Sequence, residues 1–175
     1  MAIAVEEISA QFVKDERIIA DCNKFVQAVA GKVAVEYGMR LQEFSGAFAG
    51  TADQIRSRFD KPPFVSIGTN KELATKLANE GQPVLGGLGL HEMKTYEPRA
   101  TMGHIVVIAP GGPSKPLAPS GSFHGARGGY PYCYQGAHNL QYRFKAKTQV
   151  DAVFPRNALP HINYAYVDIL KKHSS

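Results

Sequence analysis

The 175-residue sequence contains no tryptophan and only two cysteines, Cys22 and Cys133. Two cysteines are too few for a zinc site made of cysteine alone. They leave open a single disulfide, or one reactive thiol beside one structural thiol. A chain of this length buries a core without disulfide or metal staples, so we expect one domain spanning residues 1–175.

Long hydrophobic runs are missing as well. No stretch reaches the roughly 18 apolar residues that a membrane-spanning helix needs. Residues 1–7 have neither the basic start nor the apolar core of a secretory signal peptide. We therefore expect no membrane partner, and a protein that is made in the cytoplasm and leaves it, if at all, by a route that reads no N-terminal signal.

The excess of positive charge is small. Lys and Arg number 20 against 15 Asp and Glu, which gives a net charge of +5. A mildly basic surface favours a polyanionic partner such as nucleic acid, anionic lipid or an anionic wall polymer. The longest basic run is Lys171-Lys172. Because the basic residues are otherwise scattered, we expect no nucleic-acid partner.

The clearest helical pattern begins after Asp21, whose carboxylate is a natural N-cap. We predict a helix over residues 22–37, followed by shorter helices over 52–59 and 71–79. The first helix buries one face, because four apolar residues recur at helical spacing: Cys22, Val26, Val29 and Val33.

Strand-like stretches are concentrated in the second half of the chain. Helices followed by strands are typical of an α+β fold and not of βαβ winding. We therefore predict N-terminal helices packed on an antiparallel sheet. Residues 110–122, rich in Pro, Gly and Ser, predict a loop. The predicted strands cover residues 84–88, 105–108, 130–135, 150–154 and 162–169.

Cys22 is the candidate nucleophile. It lies in the first turn of the predicted helix, where the helix dipole favours an anion and lowers a thiol pKa from about 8.5 toward neutrality. The thiolate is the reactive form of cysteine. The alternative is a small buried core residue, since free cysteine is among the most buried residue types.

His104 is the candidate base, because cysteine hydrolases pair the thiol with an imidazole. It begins the strongest predicted strand directly after Gly103, which leaves room for a substrate. The alternative is a half-exposed histidine without a role. We expect the Cys22 sulfur to lie within about 4 Å of a His104 ring nitrogen.

Motifs for metal and nucleotide chemistry are incomplete. His91-Glu92 begins like a zinc-protease motif, but Thr95 stands where the second histidine would be required. The glycines of residues 86–89 are not followed by the Gly-Lys-Ser/Thr of a phosphate-binding loop. We therefore expect no metal or organic cofactor.

Four stretches together resemble the type VI secretion amidase effectors, which are papain-like peptidoglycan hydrolases related to the NlpC and CHAP groups. Residues 21–30, Asp-Cys-Asn-Lys-Phe-Val-Gln-Ala-Val-Ala, resemble the family's nucleophile helix. Residues 103–108, Gly-His-Ile-Val-Val-Ile, resemble its histidine strand. Residues 130–136 and 163–166 resemble later segments of one effector subgroup. The order and spacing agree from Asp21 to Ile169.

The resemblance implies a papain-like cysteine hydrolase fold with Cys22 as nucleophile and His104 as general base. The third catalytic position falls near Cys133, where the sequence has no Asp, Asn or His. A backbone carbonyl near Cys133, or Gln135, would then orient the imidazole. A Cys22–Cys133 disulfide would abolish the nucleophile, so we expect two free thiols.

The function implied is a peptidoglycan amidase or endopeptidase toxin, delivered by type VI secretion into the periplasm of a target cell. It would cleave an amide bond in the wall peptide stem or cross-link. The implied partners are peptidoglycan, a secretion-apparatus component and a cognate periplasmic immunity protein. Two alternatives stay open: a housekeeping cysteine peptidase, and a non-catalytic wall-binding module of the same fold.

Overall fold

The computed structural model describes residues 4–40, 44, 46–112 and 129–170, and within them the fold is α+β. Six strands form one antiparallel sheet in the order β1-β6-β2-β3-β4-β5. The strands are β1 (Phe64–Gly68), β2 (Val84–Leu88), β3 (His104–Ala109), β4 (Tyr132–Tyr134), β5 (Thr148–Gln149) and β6 (Asn163–Val167).

Helices cover both faces of the sheet. They are α1 (Val5–Phe12), α2 (Cys22–Glu36), α3 (Ala52–Arg56), α4 (Lys71–Asn79), α5 (Leu90–Tyr96) and α6 (Val150–Val153), with 3₁₀ turns over Leu140–Tyr142 and Arg156–His161. The first core, between α1, α2, α3 and the sheet, contains Ile105 and Val107. The second core contains Val106 and Ile108. Strand β3 is therefore buried on both faces, which explains why its sequence is a continuous apolar, mostly β-branched run.

The long helix α2 confirms the predicted N-terminal helix on an antiparallel sheet. Its apolar face packs against β3, and Gly38 follows it at a φ of +61°, the left-handed conformation that ends many helices. Asp21 occupies the N-cap position, but its side chain makes no capping hydrogen bond. The cap expected from the sequence is therefore wrong, and the carboxylate is left at the edge of a cavity described below.

Three short elements differ from the sequence prediction. Residues 150–154 are not a strand, because Val150, Val153 and Phe154 recur at helical spacing; Val150–Val153 form the helix α6 and Phe154 follows its last turn. Residues 90–96 form the helix α5, whose start is stabilised by the Glu92 carboxylate accepting the Gly89 N–H at 2.8 Å. Strand β1 was not predicted, since it is a short edge strand with mixed burial.

Two further predictions from the sequence concern membrane spanning and the loop over residues 110–122. Within the described residues, no helix is both long enough and apolar enough to cross a bilayer. The loop predicted over residues 110–122 lies outside the described residues from position 113 onward.

Candidate active site

Cys22 is the first residue of α2 and is 6% exposed. Helix α2 packs on β3, so the start of the helix is held beside the beginning of that strand. The backbones of Ile105, the residue after His104, and of Asn23 are close enough to the Cys22 thiol to lower its pKa, against the larger opposing effect of burial. The predicted nucleophile is therefore fixed by rigid elements on both sides.

His104 is the first residue of β3 and is half-buried. Its ring packs against Phe154 of the second core, with 5.1 Å between ring centroids. Cys22 belongs to the first core, so the two side chains approach the end of the sheet from different faces. Both nonetheless line one cavity there. The 4 Å separation of sulfur and ring nitrogen stays a prediction.

Gln135 is the side chain that hydrogen-bonds with the His104 ring. Its Oε1 forms a short hydrogen bond with His104 Nε2. Its own Nε2 donates to the Tyr142 carbonyl at 2.7 Å, which fixes the orientation of the amide. An accepting Oε1 requires a proton on His104 Nε2 in the neutral ring, so Nδ1 is left as the basic nitrogen.

Hydrogen bonds join the residues just before Cys22 to the residues that follow Gln135. This set of contacts, between residues 19–21 and 136–143, is called the clamp. The Ala137 N–H donates to the Ile19 carbonyl at 2.9 Å. Arg143 donates from Nε to the Ala137 carbonyl at 2.8 Å and from Nη2 to the Ala20 carbonyl at 3.4 Å. Gly136 makes the approach possible, because a Cβ there would lie 2.3 Å from the Asp21 carbonyl oxygen. The relative position of thiol and amide is thus set by main-chain contacts.

Cys133 lies elsewhere. It pairs with Ile108 in the β3–β4 ladder, four residues along β3 from His104, and it is fully buried in the second core. Both cysteines are free thiols, as expected. The third position assigned near Cys133 is therefore corrected: the ring contact is made by Gln135, two residues further along the chain, one of the two alternatives that the sequence left open.

Burial decides the charge state of both reactive groups. It raises the pKa of the Cys22 thiol to about 11, an effect that the neighbouring Asp21 carboxylate reinforces. Burial also lowers the pKa of His104, opposed by the Gln135 hydrogen bond and by Asp21. The expectation that the helix N-terminus lowers the thiol pKa is thus wrong for this structure. The resting site holds a neutral thiol and a neutral imidazole.

Two cavities meet at Cys22. The large cavity, about 810 Å³, is lined by Cys22, His104 and Gln135 together with the loop before β3 and the segment after β4. The small cavity, about 290 Å³, is lined by Cys22 and Asn23 and by residues at the starts of α3 and α5, but not by His104. A peptide substrate that lies across Cys22 would therefore place the residue on one side of its scissile bond in the large cavity and the residue on the other side in the small cavity.

Gly103 lines both cavities and also has a structural role. A Cβ on this residue would lie 2.7 Å from the Leu88 carbonyl oxygen. The glycine therefore allows β2 and the strand start to approach closely, and the space for a substrate is provided by the two cavities.

Metal ligation has no candidate cluster in the described part of the chain, where no three His, Cys, Asp or Glu side chains come together. No protein-family model matches the chain, and no curated protein matches it. The comparison with the amidase effectors therefore depends on the four sequence motifs alone.

We expect the two thiols of the native protein to be alkylated at different rates and with different pH dependences. Because the Cys22 pKa is raised, its thiolate fraction and its alkylation rate should rise about tenfold per pH unit from pH 6 to 9. Cys133, fully buried with a pKa raised by burial and by Asp151, should react only after unfolding. Peptide mapping after iodoacetamide treatment measures both rates. A Cys22 rate that is flat across this range would instead indicate a preformed thiolate–imidazolium pair.

Two matched substitutions should distinguish the role of Gln135 from that of Cys133 in orienting the His104 ring. Gln135→Ala removes the acceptor that fixes the His104 ring, and we expect kcat to fall roughly 10²-fold, the loss typical of a misplaced catalytic group. Cys133→Ala removes a packing contact worth about 1 kcal/mol and should keep activity within about tenfold. Turnover and thermal unfolding of both variants are measured. If Cys133→Ala lost more activity than Gln135→Ala, Cys133 would be the residue that orients the His104 ring.

Proposed function

We propose that this protein is a cysteine amidase that cleaves an amide bond in the peptide stem or cross-link of peptidoglycan. The observation that carries the proposal is the placement of Cys22, His104 and Gln135 on one cavity at the end of the sheet. The peptide-wall substrate is supported by the four motifs shared with the amidase effectors and by the net charge of +5, which suits an anionic wall.

The reaction begins with His104 as general base. Nδ1, left basic by the Gln135 contact, takes the Cys22 proton as the sulfur attacks the amide carbonyl. The pKa directions of the two groups favour this concerted transfer over a preformed ion pair. The developing oxyanion accepts a hydrogen bond from the Cys22 backbone N–H at the start of α2.

The second half of the reaction uses the same residues. The imidazolium protonates the leaving amine, and the C–N bond breaks to leave a thioester on Cys22. Water, deprotonated by the neutral ring, then attacks the thioester and restores the thiol. Since only neutral His104 is a base, and its pKa is lowered, kcat/KM should be maintained at neutral pH and fall as the pH drops below that pKa.

The biological setting follows the same resemblance. The toxin would be loaded in the producing cell, injected by type VI secretion, and act in the periplasm of the target cell. A cognate immunity protein would protect siblings by covering the two cavities. A housekeeping peptidase and a wall-binding module are the competing functions.

Digestion of purified sacculi distinguishes these functions. Mass spectrometry of the soluble products should reveal new stem-peptide termini and so identify the bond that is cut. Casein incubated in parallel should stay intact. Cleavage of casein without release of stems would favour the housekeeping peptidase. Co-sedimentation with sacculi without any cleavage would favour the wall-binding module.

A further inference from the structure

Asp21 is a residue of the site whose placement the mechanism does not explain. It occupies the N-cap position of α2, where an aspartate ordinarily accepts a hydrogen bond from the first turn, but its side chain makes no such bond. Asp21 is half-buried and lines both the large and the small cavity, directly before Cys22 in the chain. Breaking a local rule of helix structure beside the reacting thiol is typical of a residue that serves the site.

The Asp21 carboxylate is also unpaired. It has no hydrogen-bond or ion-pair partner among the residues that the structure describes. Arg143, the cation of the clamp, donates instead to main-chain carbonyls. Asp53, which also lines the small cavity, accepts the Leu90 backbone N–H and so stabilises the start of α5. The negative charge of Asp21 is therefore not neutralised by a bound cation, and it acts on the groups beside it.

Both members of the catalytic pair respond to this charge. Burial raises the pKa of the Cys22 thiol most, and the Asp21 carboxylate raises it further. Burial lowers the pKa of His104, and the Gln135 hydrogen bond and the Asp21 carboxylate oppose that effect. Asp21 is thus close enough to act electrostatically on the thiol and on the imidazole.

Other charged or titratable side chains face the pair without acting on it in this way. The small cavity adds Asp53, and the large cavity is also lined by Glu97, Arg99, His138 and Tyr142. Among the described residues, the charge that changes the pKa values of Cys22 and His104 is that of Asp21 and not of these five. On its other side the His104 ring packs against the apolar ring of Phe154.

The reaction needs a negative charge that Gln135 does not provide. A carboxylate beside the base would both orient the ring and stabilise the imidazolium that forms on it, whereas a neutral amide only orients it. In the tetrahedral adduct the sulfur is bonded to carbon and uncharged, and the new negative charge lies on the carbonyl oxygen beside the Cys22 backbone N–H. The Asp21 carboxylate then no longer opposes a charge on sulfur and still stabilises the imidazolium, which favours the adduct.

We propose that Asp21 is a positioning residue of the reaction, whose carboxylate stabilises the imidazolium that His104 becomes when it takes the Cys22 proton. This inference rests on the proposed function and divides the role of a third catalytic residue between two side chains. Gln135 fixes the orientation of the ring, and Asp21 supplies the charge. The proton moves from the Cys22 sulfur to His104 Nδ1 and then to the leaving amine, so Asp21 stays ionised throughout.

Asp21→Asn removes the charge and keeps the size of the side chain. Asparagine is as good an N-cap residue as aspartate, so the variant should fold with wild-type stability. The His104 titration, followed by NMR of ring-labelled histidine, should move to lower pH, and the acid limb of kcat/KM should move with it. Cys22 should be alkylated about threefold faster at pH 7, because less negative charge opposes the thiolate. Turnover of a cross-linked dimer of stem peptides should nevertheless fall about threefold or more, since the imidazolium is less stable.

A faster-reacting thiol combined with slower turnover is a result that a purely structural role of Asp21 would not produce. Asp60→Asn is the matched control, because it makes the same change at an exposed residue outside both cavities and should alter none of these quantities. Asp21→Glu keeps the charge and should retain part of the wild-type titration and turnover.

The two kinds of measurement separate this inference from the proposed function. An unchanged His104 titration in Asp21→Asn, or wild-type turnover despite a shifted titration, would overturn the role of Asp21. If the wild-type protein did not cleave the dimer, but Asp21→Asn still shifted the His104 titration and accelerated Cys22 alkylation, the amidase proposal alone would fail.

Discussion

A Cys22→Ala protein should release no stem peptides from sacculi and should not be toxic in the periplasm, while folding as the wild type does. In the proposed mechanism the Cys22 sulfur is the attacking atom, and an alanine at this position of α2 carries no nucleophile. The structural loss is small, since removing one sulfur from a nearly buried site costs about 1 kcal/mol. Product release by mass spectrometry and thermal unfolding together measure the two effects.

Cys133→Ala is the matched control for this experiment, because it removes the same atom from the second core instead of the cavity. It should lose a similar amount of stability and keep most activity. A folded Cys22→Ala protein that still digests sacculi would exclude the nucleophile assignment and, with it, the mechanism.

His104→Ala is expected to have the second largest effect, a loss of about 10² to 10⁴ in kcat, the contribution typical of a positioned general base. The loss should be greatest at neutral pH, where the buried Cys22 thiol stays protonated unless a base removes its proton. At higher pH, hydroxide generates more thiolate, so part of the activity should return. The pH–rate profile of the variant therefore tests the role of the ring more directly than a single rate does.

His91→Ala is the control for His104. His91 is exposed on α5, and its side chain lines neither cavity. Its removal should leave the profile unchanged. If His104→Ala retained wild-type activity at neutral pH, the base would have to be sought elsewhere in the cavity.

The elements that hold the proposed nucleophile and base were predictable from the sequence, because each depends on local patterns. The 4, 3, 4 spacing of Cys22, Val26, Val29 and Val33 marks the buried face of α2. The β-branched run after His104 marks a strand buried on both sides. Helix α6 was predicted as a strand because a stretch of five residues with three large apolar side chains is compatible with both helical and strand periodicity.

The choice between Gln135 and a backbone carbonyl near Cys133, and the charge states, could not be predicted, since both depend on contacts between distant segments. Gln135 reaches His104 only through the β3–β4 pairing, and its orientation depends on the Tyr142 carbonyl. The thiol pKa illustrates a competition between two effects. The helix terminus favours thiolate, but burial under the strand start disfavours it more strongly, and the depth of burial is not visible in the sequence.

The clamp between Ala20 and Arg143 has a consequence for synthesis of the chain. Its two ends are 123 residues apart in sequence, and Gln135 lies in the later of the two segments. Until the ribosome has released that segment, the His104 ring lacks the Gln135 hydrogen bond that orients it. Under the proposed mechanism, a nascent chain would therefore lack activity until residues 135–143 contact the start of α2.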